Sequence, residues 1–438
     1  MSQNFPRSFG KYILLRPMAK GGMGEIYMAA LGQIGGFEKF CVIKKVLSEK
    51  ADPSKAKRFL DEAKVVLRLN HSNLVNTFDA GEVDGEFYIA MEMVEGKDLR
   101  EVWNRCVRQR QRIPIEVALH VAREVARVLA YVHGYGDLKL VHRDIAPPNI
   151  MLAYNGDVKL TDFGLARSKL KEEKTQPGVV FGRAAYLAPE QARGEVADAR
   201  TDVYTLAIVL WELLTGHQYL PVSGLDPVAS LSLVRHPKPV PPSARAPWIS
   251  PQLDKVVLRA LAPDREQRYQ SAEEFRLELS DVIAQTAPRT DPARVAELMQ
   301  TIFEEVINKE REERERFLKE VIPAFRSFLA EKPAEKAAPA SKIVPPVPLA
   351  SLAAAEMESK ATHATKRGPL GKPRMTSRPP VPIAGDKPAP AHGVSAAADA
   401  SNDPEEQRRA RREAAMRVLA ELAAEEDVVT PPPEQIRR

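Results

Sequence analysis

The sequence predicts an α+β fold of two lobes, a small β-rich one followed by a larger helical one, with a helical extension and a disordered tail behind them. Three observations carry this. Short β-rich runs broken by glycine fill the chain up to about residue 94, whereas beyond Gly96 apolar residues recur at helical spacing. The 14 Phe, 10 Tyr and 3 Trp all lie before Leu329, so the last 110 of the 438 positions hold no aromatic anchor for a core.

The elements follow in order. Residues 12–15, 25–28 and 41–44 read as an antiparallel meander. Residues 53–69 place Phe59, Leu60, Ala63, Val66 and Leu67 at helical spacing, and two more strands are expected at 74–78 and 87–93. Helices follow through Val117, Val121, Val125 and Leu129 and again over residues 203–214. A helix opening at Ser271, with Glu274 three residues on, runs to about residue 284. These elements set a body of residues 9–284, divided into a small lobe (9–94) and a large lobe (95–284).

A further helix starts at Asp291, an N-cap followed by Pro292, and carries Val295, Leu298, Met299, Ile302, Phe303, Val306 and Ile307 on one face, which must be buried. The mixed charges of residues 309–316 read as a solvated helix, and Phe317, Leu318, Val321, Ile322 and Phe325 resume the apolar face around a break at Pro323. The extension is therefore set at 290–330. Residues 331–403, rich in Ala, Pro, Ser and Lys, cannot offset chain entropy by burial and are expected to be disordered. Residues 404–427 read as a charged helix with a weak apolar stripe, more in keeping with a solvated helix than a partner-binding one.

Composition removes several functional classes. With 64 Lys and Arg against 59 Asp and Glu the net charge is +5, too balanced over this length to argue for nucleic-acid binding. The two cysteines, Cys41 and Cys106, are too few for a disulfide framework or a structural zinc site, and a reducing cytoplasm is the expected compartment. No run of about 18 apolar residues is present, and the first 16 positions lack the order of a signal peptide, so neither a transmembrane segment nor secretion is expected.

The chemistry lies in a few clusters. Ala19, Lys20, Gly21, Gly22, Met23 and Gly24 form a glycine-rich turn between two expected strands, where backbone N–H groups can approach phosphate oxygens; taken alone, such a hairpin is as often just a turn. Lys44 follows at the end of the third strand, where a lysine is usually a solvated side chain, and Glu62 on the helix after it, which could bring the two together as a pair. Residues 141–152 contain Asp144 and Asn149, and Asp162 stands within Leu160-Thr161-Asp162-Phe163-Gly164. Two carboxylates and an amide oxygen are hard ligands suited to Mg²⁺ and to accepting a hydroxyl proton. An Arg-Asp pair arises often by chance; this order and spacing after a glycine loop, a strand lysine and a helix glutamate does not.

Over roughly residues 9–284 these motifs resemble the protein kinase family. The glycine-loop form Gly-Gly-Met-Gly, with Ala188-Pro189-Glu190-Gln191-Ala192, is similar to bacterial Ser/Thr kinases of eukaryotic type. The resemblance implies a two-lobed kinase fold, ATP with Mg²⁺ or Mn²⁺ as cofactors, and protein substrates. It implies that Lys44 holds the α- and β-phosphates and pairs with Glu62, that Asp162 binds the metal with Asn149 on the second metal site, and that Asp144 orients and deprotonates the substrate hydroxyl. Met91 becomes the gatekeeper, Glu92 and Val94 the hinge whose backbone meets adenine, and Ile26, Val42 and Met151 the apolar walls. Glu190 is expected to pair with Arg268, and Asp202 to anchor the catalytic loop. Arg143 and Arg167 form a basic pocket for a phosphorylated activation loop, with Thr175 the better phosphosite candidate than Ser168. His142 reads as a core histidine.

The departures from the family pattern shape the reading. Ala19 replaces the first glycine, a minor loss. Where Ser/Thr kinases carry a lysine two residues after the catalytic Asp, this chain has Ala146; where they carry a threonine that contacts that lysine, it has Arg183. An active Ser/Thr kinase in which Arg183 restores the positive charge is the leading reading. A pseudokinase scaffold or nucleotide-binding interaction protein is the alternative, although none of Lys44, Asp144, Asn149 and Asp162 is damaged. A tyrosine kinase can have alanine at that position but is expected to bring an arginine into the catalytic loop, which Pro147-Pro148 does not offer. Self-association or partner binding through residues 290–330 or 404–427 is the further option, with docking of the extension on the chain's own large lobe preferred.

Overall fold

A computed structural model of the chain describes residues 5–21, 24–32, 38–46, 63–136, 140–163, 184–222 and 225–331. Expectations placed on Gly22, Met23, Glu62, Arg167, Ser168, Thr175, Arg183 and residues 332–438 lie outside the described residues.

The small lobe is an antiparallel sheet of β1 (Arg7–Phe9), β2 (Tyr12–Gly21), β3 (Gly24–Leu31), β4 (Lys39–Val46), β5 (Thr77–Val83) and β6 (Glu86–Glu92), in the order β1-β2-β3-β4-β6-β5. Strand alternation gives it two apolar faces. Tyr12, Leu14, Tyr27, Ala29, Cys41 and Ile43 fill one core with Phe9 and Tyr88, and the intervening Ile13, Leu15, Met28 and Ala30 fill another. The second expected strand pair is shifted: pairing starts at Thr77 rather than 74, because Leu74 makes an isolated parallel bridge to Leu160 in the other lobe.

A connector leads into β7 (Gly96–Asp98), which joins β8 (Ile150–Ala153) and β9 (Val158–Leu160) in a three-stranded sheet. Gly96 is required there, since a Cβ would stand 2.1 Å from the Leu152 carbonyl oxygen. The large lobe holds α1 (Leu99–Arg108), α2 (Ile115–His133), α3 (Pro189–Arg193), α4 (Ala199–Thr215), α5 (Pro227–Arg235), α6 (Pro251–Ala260) and α7 (Ala272–Thr286). Every residue of α4 from Thr201 to Thr215 is buried, as befits a helix apolar nearly all round, and α2, α6 and α7 pack on it. The Asp198 side chain caps its start, and Ser271 Oγ caps α7 by accepting from the Glu274 amide at 3.0 Å.

The extension is α8 (Pro292–Arg316), a π-helical turn (Phe317–Val321) and α9 (Ile322–Glu331). Asp291 caps α8 through the Arg294 amide, with Pro292 in the first turn. The helix bends at Phe303 (φ −125°), where the Ile302 carbonyl accepts from Arg105 Nε at 2.8 Å. Val295, Leu298, Met299, Ile302, Phe303 and Ile307 are buried in the large-lobe core. The extension thus docks on the large lobe, and it also reaches the small lobe. Phe317, Val321, Ile322 and Phe325 pack on Ile13, Leu15, Met28 and Ala30, with burial worth roughly 1.5–3 kcal/mol for each large apolar side chain.

Two expectations for this segment are corrected. The break comes ahead of Pro323, as the π turn; proline has no N–H for the Lys319 carbonyl, and the wider turn absorbs the mismatch. Part of the charged run faces protein rather than water, because Glu310, Glu313 and Arg314 each pair with a residue of the body. Among the described residues no helix is long and apolar enough to cross a membrane.

Candidate active site

In the glycine-rich hairpin Gly21 pairs with Gly24 in register, and Gly24 holds φ +144°, open to glycine. Ala19 pairs with Ile26, and Lys20 bridges to Glu25 at 2.9 Å.

Lys44 lies on β4 between Ile26 of β3 and Ile89 of β6 and is 6% exposed. A buried ammonium needs a partner. Its Nζ is ion-paired to Asp162 Oδ1, across from the other lobe. Asp162 sits at φ +59°, a conformation costly for a non-glycine residue, and Arg143 sits at +68°. A cavity between Met91 and Phe163, lined mainly by apolar residues such as Val66, Leu74 and Ile89, adjoins Asp162.

The loop bearing Asp144 is held from several sides. Asp202, fully buried in α4, accepts from the amides of His142 (2.8 Å) and Arg143 (2.7 Å) and is hydrogen-bonded to His133 Nε2 at 2.8 Å. His142 is itself fully buried: its Nδ1 faces the Asp144 amide at 3.3 Å, its Nε2 the Thr161 carbonyl at 3.1 Å, and its ring packs edge-on against Phe163. Asn149 Nδ2 donates to the Asp144 carbonyl at 2.7 Å, and the Asn149 carbonyl accepts from the Thr161 amide at 2.9 Å. The Asn149 side chain thus ties to the Asp144 main chain, and the Asn149 main chain to Thr161 beside Asp162.

Below it, Arg268 makes a two-pronged ion pair with Glu190 at 2.8 and 2.9 Å, both side chains buried. Burial alone raises the Glu190 carboxyl, but the Arg268 guanidinium and the Thr201 hydroxyl outweigh it and hold the group below the usual carboxylate range.

At the end of β6, just before the connector, Glu92 accepts from Lys159 Nζ at 2.8 Å and from the Asn76 amide at 2.9 Å, and its own amide donates to the Asn76 carbonyl. Ile26, Val42, Met91, Val94 and Met151 are each half-buried, leaving apolar surface around the space between the lobes.

The donor set fits a hard divalent cation. With its nitrogen on the Asp144 carbonyl, Asn149 keeps its amide oxygen as an acceptor, and Asp162 adds a carboxylate, oxygen donors of the kind Mg²⁺ takes beside substrate phosphates. Among the described residues there is no group of three acidic, His or Cys side chains arranged to hold a metal alone.

Gln191 stands in the sequence only as a member of the Ala188–Ala192 motif, with no role assigned to its side chain. Its Oε1 accepts from the Ala188 amide at 2.9 Å and its Nε2 donates to the Arg143 carbonyl at 3.1 Å, tying α3 to the loop at its strained residue. Its only signal was its place directly after Glu190.

Compared with known proteins, residues 12–277 match the family model described as protein kinase domain. The tyrosine-protein kinase MasK of Myxococcus xanthus is 37% identical over 273 residues, which is 61% of this chain and 42% of that protein. The serine/threonine-protein kinase PknB of Mycolicibacterium smegmatis is 39% identical over 284 residues, 64% of this chain and 44% of that protein. The chain thus spans about two fifths of the length of these relatives. A crystal structure of the Mycobacterium tuberculosis PknI kinase domain is 30% identical, covers 63% of this chain and 98% of its own, and superposes with a TM-score of 0.48.

Proposed function

The chain belongs to the protein kinase family, and we propose that it is an ATP-dependent serine/threonine protein kinase of bacterial signalling, working in the cytoplasm on protein substrates. The observation that carries the reading is the ion pair between Lys44 and Asp162 beside the Asp144–Asn149 loop, a cation and hard oxygen donors converging where the lobes meet. The buried free thiols of Cys41 and Cys106 support a reducing compartment.

In this reading Lys44 binds the α- and β-phosphates, the backbone of the Gly21–Gly24 hairpin covers them, and adenine lies between Ile26, Val42 and Met151 against the Glu92 and Val94 backbone. Glu62 pairs with Lys44. Asp144 orients the acceptor hydroxyl and takes its proton as the oxygen attacks the γ-phosphorus, the bond to the β–γ bridging oxygen breaks, and ADP leaves. Asn149 and Asp162 hold Mg²⁺ or Mn²⁺, which supplies neutralisation of the phosphate charge. Arg183 restores the positive charge missing at Ala146, and Thr175 is the site of activating autophosphorylation. Incubation with radiolabelled ATP and Mg²⁺, followed by phosphosite mapping, tests this: phosphoserine or phosphothreonine is expected, Thr175 among the sites. ATP binding without transfer would indicate a scaffold.

A second reading, transfer to tyrosine, is favoured by Ala146 and by the name of the Myxococcus xanthus relative. The same mapping separates it, since phosphotyrosine alone would establish it.

A further inference from the structure

The extension is tied to each part of the cleft in turn. At its start, Pro292 packs on the tip of the β8–β9 hairpin so closely that a Cβ on Gly156 would stand 2.0 Å from the Pro292 carbonyl oxygen. Further along the same helix, the Ile302 carbonyl accepts from Arg105 of α1. Level with the connector, Glu310 accepts from Lys97 Nζ at 2.8 Å and from the Tyr154 hydroxyl at 2.9 Å, and Arg314 pairs with Glu95 at 2.8 Å. Lys97 and Glu310 are largely buried, with 17% and 23% of their side chains exposed, so that pair is screened less than a surface one, whereas Glu95 opposite Arg314 is 58% exposed. At its far end Phe317 and Phe325 pack in the small lobe, and Arg326 binds Glu38 at 2.6 Å.

The place where the phenylalanines dock matters. On β3, Met28 touches them and Ile26 lies two residues away; on β4, Phe40 borders them and Val42 lies two residues away, with Met28 and Val42 paired in register. Residues two apart on a strand share a face. The docking surface therefore continues directly into the wall assigned to adenine. Met93, one residue beyond Glu92, also packs on it.

We propose that residues 302–326 form an interlobe strap that sets the spacing of the lobes and the position of the connector, with Glu310 and Arg314 as positioning residues for the nucleotide. The nucleotide part rests on the kinase reading; the spacing part does not. Without the strap, the lobes are joined by the connector, the Lys44–Asp162 pair and the bonds of residues 68–75 to Tyr131, Tyr135, Val158 and Leu160, and nucleotide affinity falls in proportion to the fraction of molecules with correctly spaced lobes.

The test uses the full chain with nitroxide labels on Ser8→Cys and Leu277→Cys, both exposed positions on opposite lobes, the native thiols being buried. Three backgrounds are compared with the labelled parent: Glu310→Lys, the reversed pair Lys97→Glu with Glu310→Lys, and Phe317→Ala with Phe325→Ala. Pulsed electron resonance should give one narrow interlobe distance in the parent, a broadened distribution in Glu310→Lys and in the phenylalanine variant, and recovery in the reversed pair. The affinity for a fluorescent ATP analogue should fall by about fivefold in Glu310→Lys and recover in the reversed pair, while kcat at saturating ATP changes less than about twofold. Unchanged distances and analogue affinity in Glu310→Lys, with only a lower Tm, would overturn the strap. If the phenylalanine variant fails to fold, the charge variants decide. A parent that binds no nucleotide overturns the kinase reading, and the distances then still decide the strap.

Discussion

Lys44 Nζ on the small lobe and Asp162 Oδ1 on the large lobe are ion-paired although 118 residues separate them in the chain. The pair closes only when both lobes are folded and correctly spaced. Replacing the lysine by a methionine of similar length removes the charge without emptying the site. Lys44→Met and Asp162→Asn are each expected to lower kcat by at least ~10²-fold, the scale on which removal of one positioned charged group acts. Steady-state kinetics with a peptide substrate checks this, with circular dichroism to show that the variants remain folded.

Asp202 accepts three hydrogen bonds, two of them from consecutive loop amides. Asp202→Ala leaves the buried His142 amide without its acceptor, at about 1–3 kcal/mol for an unsatisfied buried group. Faster hydrogen exchange at the His142 and Arg143 amides is expected, together with a kcat loss at unchanged KM for ATP. Unaltered exchange at both amides would show that another contact holds the loop.

Acid sensitivity should have a component from Glu190. Its carboxyl is held below the ordinary value of 4.5, so the folded state binds a proton less readily than the unfolded chain. The stabilisation is complete above the unfolded value and is lost as pH falls through the folded one. Glu190→Gln leaves Arg268 buried without its counter-charge and should cost about 3–5 kcal/mol at neutral pH. The Tm gap between wild type and variant should shrink progressively below about pH 4.5. Thermal denaturation across pH 3–7 reads this directly.

Truncation should separate extension from tail. Deleting residues 333–438 is expected to leave peptide phosphorylation within about twofold, since that stretch has no aromatic anchor. Deleting residues 287–438 strips cover from Ile13, Leu15, Met28 and Ala30 and should lower Tm sharply or abolish soluble expression. Gly156→Ala is the subtler probe: with φ +96° and the Pro292 carbonyl in the way, it should cost more than the roughly 1–3 kcal/mol of backbone strain alone.

Much of this was legible in the chain. Strand alternation and glycine breaks revealed the small-lobe meander, and the stripe from Val295 to Ile307 announced a buried helix, because periodicity records burial directly. The direction of a charged side chain is not recorded in that way. Residues 309–316 read as solvated since both signs alternate there, and only the path of α8 past the connector brings Glu310 to Lys97 and Tyr154. Gln191 was hidden for the same reason: its two bonds go to backbone atoms, one of them 48 residues away, and backbone groups leave no mark in sequence. The Lys44–Asp162 pair was foreseen only as two separate roles, because the distance between two lobes is a tertiary quantity.

The central claim is phosphoryl transfer by this chain's own residues, and parallel preparations of wild type and Asp144→Asn, assayed with radiolabelled ATP and Mg²⁺ while analogue binding is measured on the same samples, test it most directly. The account predicts labelled serine or threonine with the wild type, label reduced by at least ~10²-fold in the variant, and equal analogue binding by both. Equal labelling by the two preparations, or binding without transfer by the wild type, would contradict it.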